Sequence, residues 1–298
     1  MSDNKVLFII NKYSGTGYSP ALEGKILAQC EKKNLECTIE FTREPRHATT
    51  LARMAADNQF KMVFAVGGDG TMNEVAQGLL HSSVAMGILP KGSGNGLARH
   101  LRIPFSMDNA LELLDMKKTI EIDTISINDH LSVNVSGIGF DGHVARMFAR
   151  DRNRGLFTYG KLVVSQFSKF EAFECEVSLD GVTTNENLFS ISFANSSQFG
   201  NNAFIAPTAS LCDQLIDVCM VNKMNTFQGL QFARKLFNKT LNQSKQVRIV
   251  QARDIKIVTS EKIPFHIDGE AAEATTSFDI RINPSSLRVI MLPGQSSV

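Results

Sequence analysis

Five consecutive residues, Gly67-Gly68-Asp69-Gly70-Thr71, constrain this chain more than any others. They follow the apolar run Met62-Val63-Phe64-Ala65-Val66 and open a segment carrying Met72, Val75, Ala76, Leu79 and Leu80. Those positions obey the i, i+3, i+4, i+7, i+8 rule for one helix face, so the order reads strand, glycine turn, helix. Glycines let the backbone turn tightly and let a ligand come close. The helix N-terminus behind them offers unpaired N–H groups and positive dipole potential, which favour phosphate. Asp69, at the centre of the turn, would by itself repel a phosphate. A divalent cation between carboxylate and phosphate removes the conflict. The turn therefore suggests a nucleotide phosphate with Mg2+, and Asp69 on the metal side.

Two further turns have the same form. Met86–Pro90 leads into Lys91-Gly92-Ser93-Gly94-Asn95-Gly96, and Val6–Ile10 runs into Asn11-Lys12-Tyr13-Ser14-Gly15-Thr16-Gly17. Three glycine turns after apolar strands would line up at the carboxyl edge of one parallel sheet, where open α/β sheets bind ligands. A P-loop is excluded, because no G-x-x-x-x-G-K-[ST] occurs. Gly92-Ser93-Gly94 also lacks the third glycine of a dinucleotide fingerprint.

In these residues the chain resembles the diacylglycerol kinase catalytic-domain family, which includes bacterial lipid kinases and sphingosine kinases. The matching pieces are Asn11–Gly15, Thr42, Gly67–Glu74, Leu89–Arg99, Asn134–Asp141 and Asp268–Glu270, in the family's order and spanning most of the chain. GGDGT alone is shared with NAD kinases. Followed by Asn73-Glu74 and joined to the G-S-x-N turn and a late D-G-E, it is much more specific.

Composition narrows the class. The chain has 298 residues, so two domains are the expectation. Its 31 basic and 30 acidic residues give a net charge of +1, which argues against bulk attraction to nucleic acid or to an anionic membrane. No apolar run approaches the roughly 20 residues that span a bilayer. Met1–Lys5 lead straight into the first strand, too short a stretch for a secretory signal. Five scattered cysteines without C-x-x-C spacing read as reduced thiols, and the expected location is cytoplasmic, peripheral to a membrane.

Up to about residue 124, strands alternate with helices: a helix carrying Leu22, Ile26, Leu27 and Cys30, strand Leu35–Phe41, a helix near Ala48–Asn58, and one near Asn109–Leu114. This is the βαβ pattern of a parallel sheet. Beyond it, short alternating strands dominate. Cys175, Val177 and Leu179 run to a hairpin signal at Asp180-Gly181, and Phe189, Ile191, Phe193 alternate, as do Ile255, Ile257 and Phe278, Ile280, Ile282. Two helices interrupt, Thr158–Phe170 and Thr226–Leu241, the latter with Phe227, Leu230, Phe237 and Leu241 on one stripe. The expected architecture is an α/β N-terminal domain with a parallel sheet, residues 1–124, NAD-kinase-like. A β-sandwich domain, 125–284, follows it. The resemblance implies that segment 285–298 returns to the first domain, and that a lipid site lies near the cleft.

Phosphoryl transfer needs a phosphate cradle, a metal and a proton acceptor. The resemblance assigns nucleotide contacts to Asn11, Lys12, Tyr13, Ser14, Gly15, Thr42, Gly67, Gly68, Asp69, Gly70, Thr71, Met72, Asn73 and Ser93. Thr42 also fits a plain turn after a strand. Asp268-Gly269-Glu270 could be a solvated hairpin tip. The bacterial lipid kinases instead imply Glu270 as general base, while the sphingosine-kinase branch gives that role to Asp69. Glu270 is preferred, with Asp69 organising Mg2+. His266 reads as a packed or surface histidine.

Many bacterial members carry Asp where this chain has Gly96, so one carboxylate is missing from the implied metal network. Ala209–Asp217 is similar to a family segment holding a structural Mg2+. Asp213 with the carbonyls of Ser210 and Leu215 is the matching set, although Gln214 replaces a glycine. A plain loop before a strand is the other reading. Arg146–Lys169 mixes Arg146, Arg150, Arg152, Arg154 and Lys161 with Met147, Phe148, Phe157, Phe167 and Phe170. It suits a membrane-facing lip, or a helix packing its apolar stripe inward.

The sequence thus points to an ATP-dependent kinase of a lipid hydroxyl, with diacylglycerol or a sphingoid base as acceptor and a homodimer as a permitted assembly. A NAD-kinase-like enzyme and a catalytically weak nucleotide- or lipid-binding regulator are the alternatives.

Overall fold

The central strands of the first unit are apolar almost throughout. The computed structural model describes residues 4–15, 18–151 and 155–292, so Thr16, Gly17, Arg152, Arg154 and 293–298 lie outside it. β1 (Lys5–Ile10), β3 (Met62–Gly67) and β4 (Ala85–Pro90) are buried almost end to end, as a parallel sheet covered on both faces requires. Together with β2 (Glu36–Phe41) and the last part of a long C-terminal strand they form a parallel array. Its order is C-terminal strand, β4, β3, β1, β2. The helices are α1 (Ala21–Lys32), α2 (His47–Asp57), α3 (Asp69–Leu79) and α4 (Gly96–His100). The helix expected near Asn109–Leu114 is instead a single turn, α5 (Met107–Ala110), tightening into a 3-10 turn at Leu111–Asp115. In α1 Leu22, Ile26 and Cys30 face the core, while Leu27 is 50% exposed.

The chain divides into two compact units, one reaching Asp123 and resuming at Pro284, the other Thr124–Asn283. The second contains β5 (Lys118–Ile127, from Thr124 on), β6 (His130–Ser132), β7 (Val135–Gly139), α6 (Phe140–Arg150), α7 (Leu156–Phe167), β8 (Phe173–Leu179), β9 (Val182–Leu188), β10 (Ser190–Ala194) and β11 (Ile216–Val221). It closes with α8 (Thr226–Phe237), β12 (Val247–Ala252), β13 (Asp254–Ile267) and β14 (Glu270–Met291), whose end is the returning strand of the first unit. β13 pairs with β8 along its first half and with β7 along its second, so it serves both layers of a sandwich. Between the layers lie Ile138, Phe173, Val177, Ile191, Phe193, Ile257 and Phe278. The Asp180-Gly181 hairpin forms with positive φ at both residues, joining β8 to β9.

Helix α6 is absent from the periodicity reading. Its buried positions are Gly142, Val144 and Ala145, too small to stand out as an apolar stripe. Helix α8 ends at Phe237, and Leu241 is buried in the following 3-10 turn. The stripe Phe227, Leu230, Phe237 is 69%, 71% and 55% exposed. Phe232 and Leu236 pack on the core in its place. The Arg146–Lys169 stretch divides similarly: Phe167 and Phe170 close edge-on around Phe140 and Phe189, while Phe157 is 88% exposed.

Burial also sets a pH response. His100, on α4, is pushed down to about 4 from 6.5 by burial and then by the Arg102 charge. The unfolded chain therefore takes up this proton first, and the stability His100 contributes is complete above about 6.5 and lost as pH falls towards 4. Asp217 works the other way, raised to about 6 chiefly by burial, its stability lost as pH rises from 3.8 to 6. The comparison with His100→Gln isolates the first group. Urea denaturation should show the wild-type protein losing up to about 3 kcal/mol relative to H100Q between neutral pH and pH 4.

Candidate active site

Three glycine turns meet at the carboxyl ends of β1, β3 and β4. The Lys91 and Gly92 amides donate to the Gly67 carbonyl (2.7 and 3.2 Å), and the Asn11 amide to that of Val66 (3.0 Å). A β-carbon on Gly92 would lie 2.5 Å from the Gly68 Cα, and one on Gly15, at φ +64°, would overlap the Lys91 carbonyl. The turns pack backbone on backbone, and no side chain fits between them.

Asp69 fastens them. Its Oδ2 accepts the Asn95 amide and its Oδ1 the Gly96 amide, both at 2.7 Å. Asn95 takes a left-handed φ of 52° and folds back on Gly92, accepting from its amide (3.0 Å) and donating to its carbonyl (2.6 Å). Each carboxylate oxygen can accept from two partners. Among the described residues no three His, Cys, Asp or Glu side chains gather into a metal-holding group. The donor set suits a cation held by one carboxylate and substrate phosphates, the usual manner of Mg2+.

The other expected residues divide by environment. Asn11 donates from Nδ2 to the Thr71 Oγ1 (3.2 Å) and accepts from the Tyr13 amide (2.9 Å). Lys12 rests on the faces of Phe41 and Tyr18 (3.8 and 4.8 Å). Ser93 is exposed, Ser14 and Thr42 half-buried. The Met72 side chain is wholly buried and its amide donates to the Gly68 carbonyl (3.0 Å). Asn73 is buried and accepts from Gln77 (2.6 Å).

Glu74, the last residue of the motif, is structural. Its two oxygens accept the Arg46 and Ala48 amides (2.9 and 3.1 Å) at the start of α2, and its carbonyl accepts the Thr49 hydroxyl (2.9 Å).

In the second unit, Asp268 and Gly269 form the two-residue turn joining β13 to β14, both at positive φ. The tip is solvated at Gly269 and Glu270 but not at Asp268. Asp268 is buried, and its carboxylate accepts the Ser132 hydroxyl (2.6 Å) and the Val133 and Asn134 amides (2.9 and 3.0 Å). Glu270 stands exposed on this pinned turn. His266 is buried, and its Nδ1 accepts the Gly269 amide (3.1 Å). That bond leaves the ring proton on Nε2, 3.6 Å from Oδ2 of Asp141, which also accepts the Ser192 hydroxyl (3.0 Å). Asp141 lies in the first turn of α6, and its role as a half-buried partner of His266 has no signature in local spacing.

At the expected second cation position, Asp213 Oδ1 accepts the Leu215 amide (3.1 Å), and Gln214 adopts the left-handed φ of 62° that a glycine would take freely. The Ser210 hydroxyl accepts the Cys212 amide (3.3 Å).

Residues 5–127 match the family model described as the diacylglycerol kinase catalytic domain. Residues 134–291 match the YegS C-terminal NAD kinase beta sandwich-like domain. This chain belongs to the diacylglycerol kinase catalytic-domain family of lipid kinases. A diacylglycerol kinase of Bacillus subtilis is 26% identical over 277 residues, covering 88% of each chain. An uncharacterised Synechocystis protein is 28% identical over 76% of this chain and 54% of its own, so the chain spans about half of that relative. A solved diacylglycerol kinase structure from Bacillus anthracis shares the fold with a TM-score of 0.77, 22% identity and coverage of 97% of both chains.

The Glu74 bonds make the motif's last residue a helix cap. Glu74→Ala should lower unfolding stability by about 1–3 kcal/mol, and Glu74→Gln, which keeps one acceptor, by less. Urea midpoints of the two variants check this.

Proposed function

We propose that this kinase transfers the γ-phosphate of ATP to the hydroxyl of a membrane lipid, diacylglycerol or a sphingoid base, using Glu270 as general base. The single observation that supports it most is the closed packing of the three glycine turns around Asp69. In this reading the phosphates lie along Asn11–Gly15, Gly67–Thr71 and Ser93, with Thr42 at the neighbouring strand end. Mg2+, when bound, supplies charge neutralisation on the transferring phosphoryl group, and Asp69 is the carboxylate that would hold it. Asp213, with the carbonyls of Ser210 and Leu215, would hold a structural Mg2+. Glu270, on a turn fixed through Asp268 and His266, takes the proton of the attacking hydroxyl.

Glu270→Gln should slow the chemical step by about a hundredfold or more while leaving ATP affinity nearly unchanged. Single-turnover transfer of radiolabel from ATP into organic-extractable product, with calorimetric ATP binding in parallel, measures both. Normal turnover of E270Q would make Asp69 the preferred base.

Asp69→Asn should abolish turnover and weaken magnesium-dependent ATP binding. It should also cost about 1–3 kcal/mol of stability, because the amide sets an N–H donor against the Asn95 or Gly96 N–H. A fully stable D69N with unchanged ATP affinity would refute the role of Asp69.

A further inference from the structure

The turn that carries Glu270 leans on a histidine whose two ring nitrogens have different partners. His266 is 2% exposed on β13, opposite Ala271 of β14 and Gly137 of β7. Its Nδ1 accepts the Gly269 amide (3.1 Å), the bond that closes the backbone directly before Glu270. Its Nε2 lies 3.6 Å from Oδ2 of Asp141, whose carboxylate fills the space that a side chain at Gly137 would take. Asp141 is held there by the Ser192 hydroxyl on that oxygen and the Gly142 amide on the other, both at 3.0 Å.

Asp141 of α6 is the charged group against Nε2. On the ring's own hairpin stand Glu270 and Asp268, the latter engaged with Ser132, Val133 and Asn134. Tyr159 of α7 and Cys219 of β11 lie near Asp141; burial and then the Asp141 charge hold both above their ordinary ranges, so they stay neutral. The segment after β10 brings the Phe199 ring, 6.2 Å away between centroids.

Such a ring has two states with opposite consequences for the turn. Neutral, with its proton on Nε2, it accepts from Gly269. A second proton goes onto Nδ1 and meets the Gly269 N–H donor against donor. That N–H then turns away, and the backbone carrying Glu270 moves with it. A general base must stay within hydrogen-bond reach of the proton it takes, and a misplacement of about 1 Å costs up to about a hundredfold in rate. We propose that His266 is a positioning residue for phosphoryl transfer, holding Glu270 in place through the Gly269 amide only while its ring is neutral. The proposal rests on the reading of Glu270 as general base.

Asparagine and glutamine separate the two nitrogens. Asparagine places an oxygen where Nδ1 lies and keeps an acceptor for Gly269 that does not titrate; glutamine reaches the Nε2 position and leaves Gly269 without that acceptor. Single-turnover transfer of label from ATP to lipid is measured between about pH 8 and about pH 5.5, with calorimetric ATP affinity in parallel. At the alkaline end, His266→Gln should slow the chemical step by about tenfold or more with ATP affinity unchanged. His266→Asn should keep most of the rate there and lose several-fold less of it than the wild-type protein on acidification. H266Q/E270Q should be no slower than E270Q, because His266 acts through Glu270. A normal rate for H266Q beside a slow E270Q, an H266N as slow as H266Q or with an unchanged acid limb, or losses that multiply in the double variant would overturn the proposal and leave the base reading standing. Normal turnover of E270Q would instead sink the base reading, and the positioning role with it. A further measurement needs neither a variant nor turnover: in 1H–15N NMR spectra of the wild-type protein the Gly269 amide resonance should move across that pH range. A resonance that stays fixed would overturn the proposal whatever the kinetics show.

Discussion

One carboxylate bonded to two backbone amides organises the first unit. Asp69 opens α3 and accepts the two N–H groups that open α4, so a single side chain joins the starts of two helices. Its negative charge faces the positive end of a helix dipole, which accounts for an acid among the glycines of these turns. Because Asn95 is held, its side chain can close on Gly92, and because Gly92 is held, it can press on Gly68. Each step needs the one before it. Gly96 follows from the same arrangement: it is fully buried and contributes its amide to Asp69, whatever carboxylate relatives place there.

The second unit uses the same device. Asp268, like Asp69, takes amides from another segment and so fixes a tight turn with positive φ. The Gly269 amide is then absorbed by His266, which is tied in turn towards Asp141. Buried polar groups of this kind are costly unless satisfied, and here they are satisfied by forming the turn. The exposed Glu270 is the residue that this arrangement presents.

Legibility in the sequence follows the chemistry. The parallel strands and their three turns are readable because apolar runs ending in glycine have few other uses, and α2 and α3 differ from expectation by a residue or so at their ends. The Asp180-Gly181 and Asp268-Gly269 hairpins are readable because both need φ > 0. Helix α6 is not, because its contact face is made of small residues. Gly142 has the Pro264 backbone against it, and Gly137 has the Asp141 carboxylate. The partnership of Asp69 with Asn95 and Gly96, and that of His266 with Asp141, join residues far apart in sequence, where local spacing carries no information.

Periodicity failed in one instructive way, by reporting a stripe on α8 without its direction. The inward contacts of α8 need only Phe232 and Leu236, and its first turn is closed by a capping box in which Asn225 and Gln228 exchange bonds. The helix is therefore anchored without Phe227, Leu230 or Phe237. Each such side chain left in water forgoes about 1.5–3 kcal/mol available from burial, so their placement is not a consequence of folding. Scattered exposed residues such as Leu27 and Met54 need no account. Six large apolar side chains on two helices without a carboxylate do, these three with Leu156, Phe157 and Val164 of α7. The second unit keeps its core contacts without drawing on these six side chains.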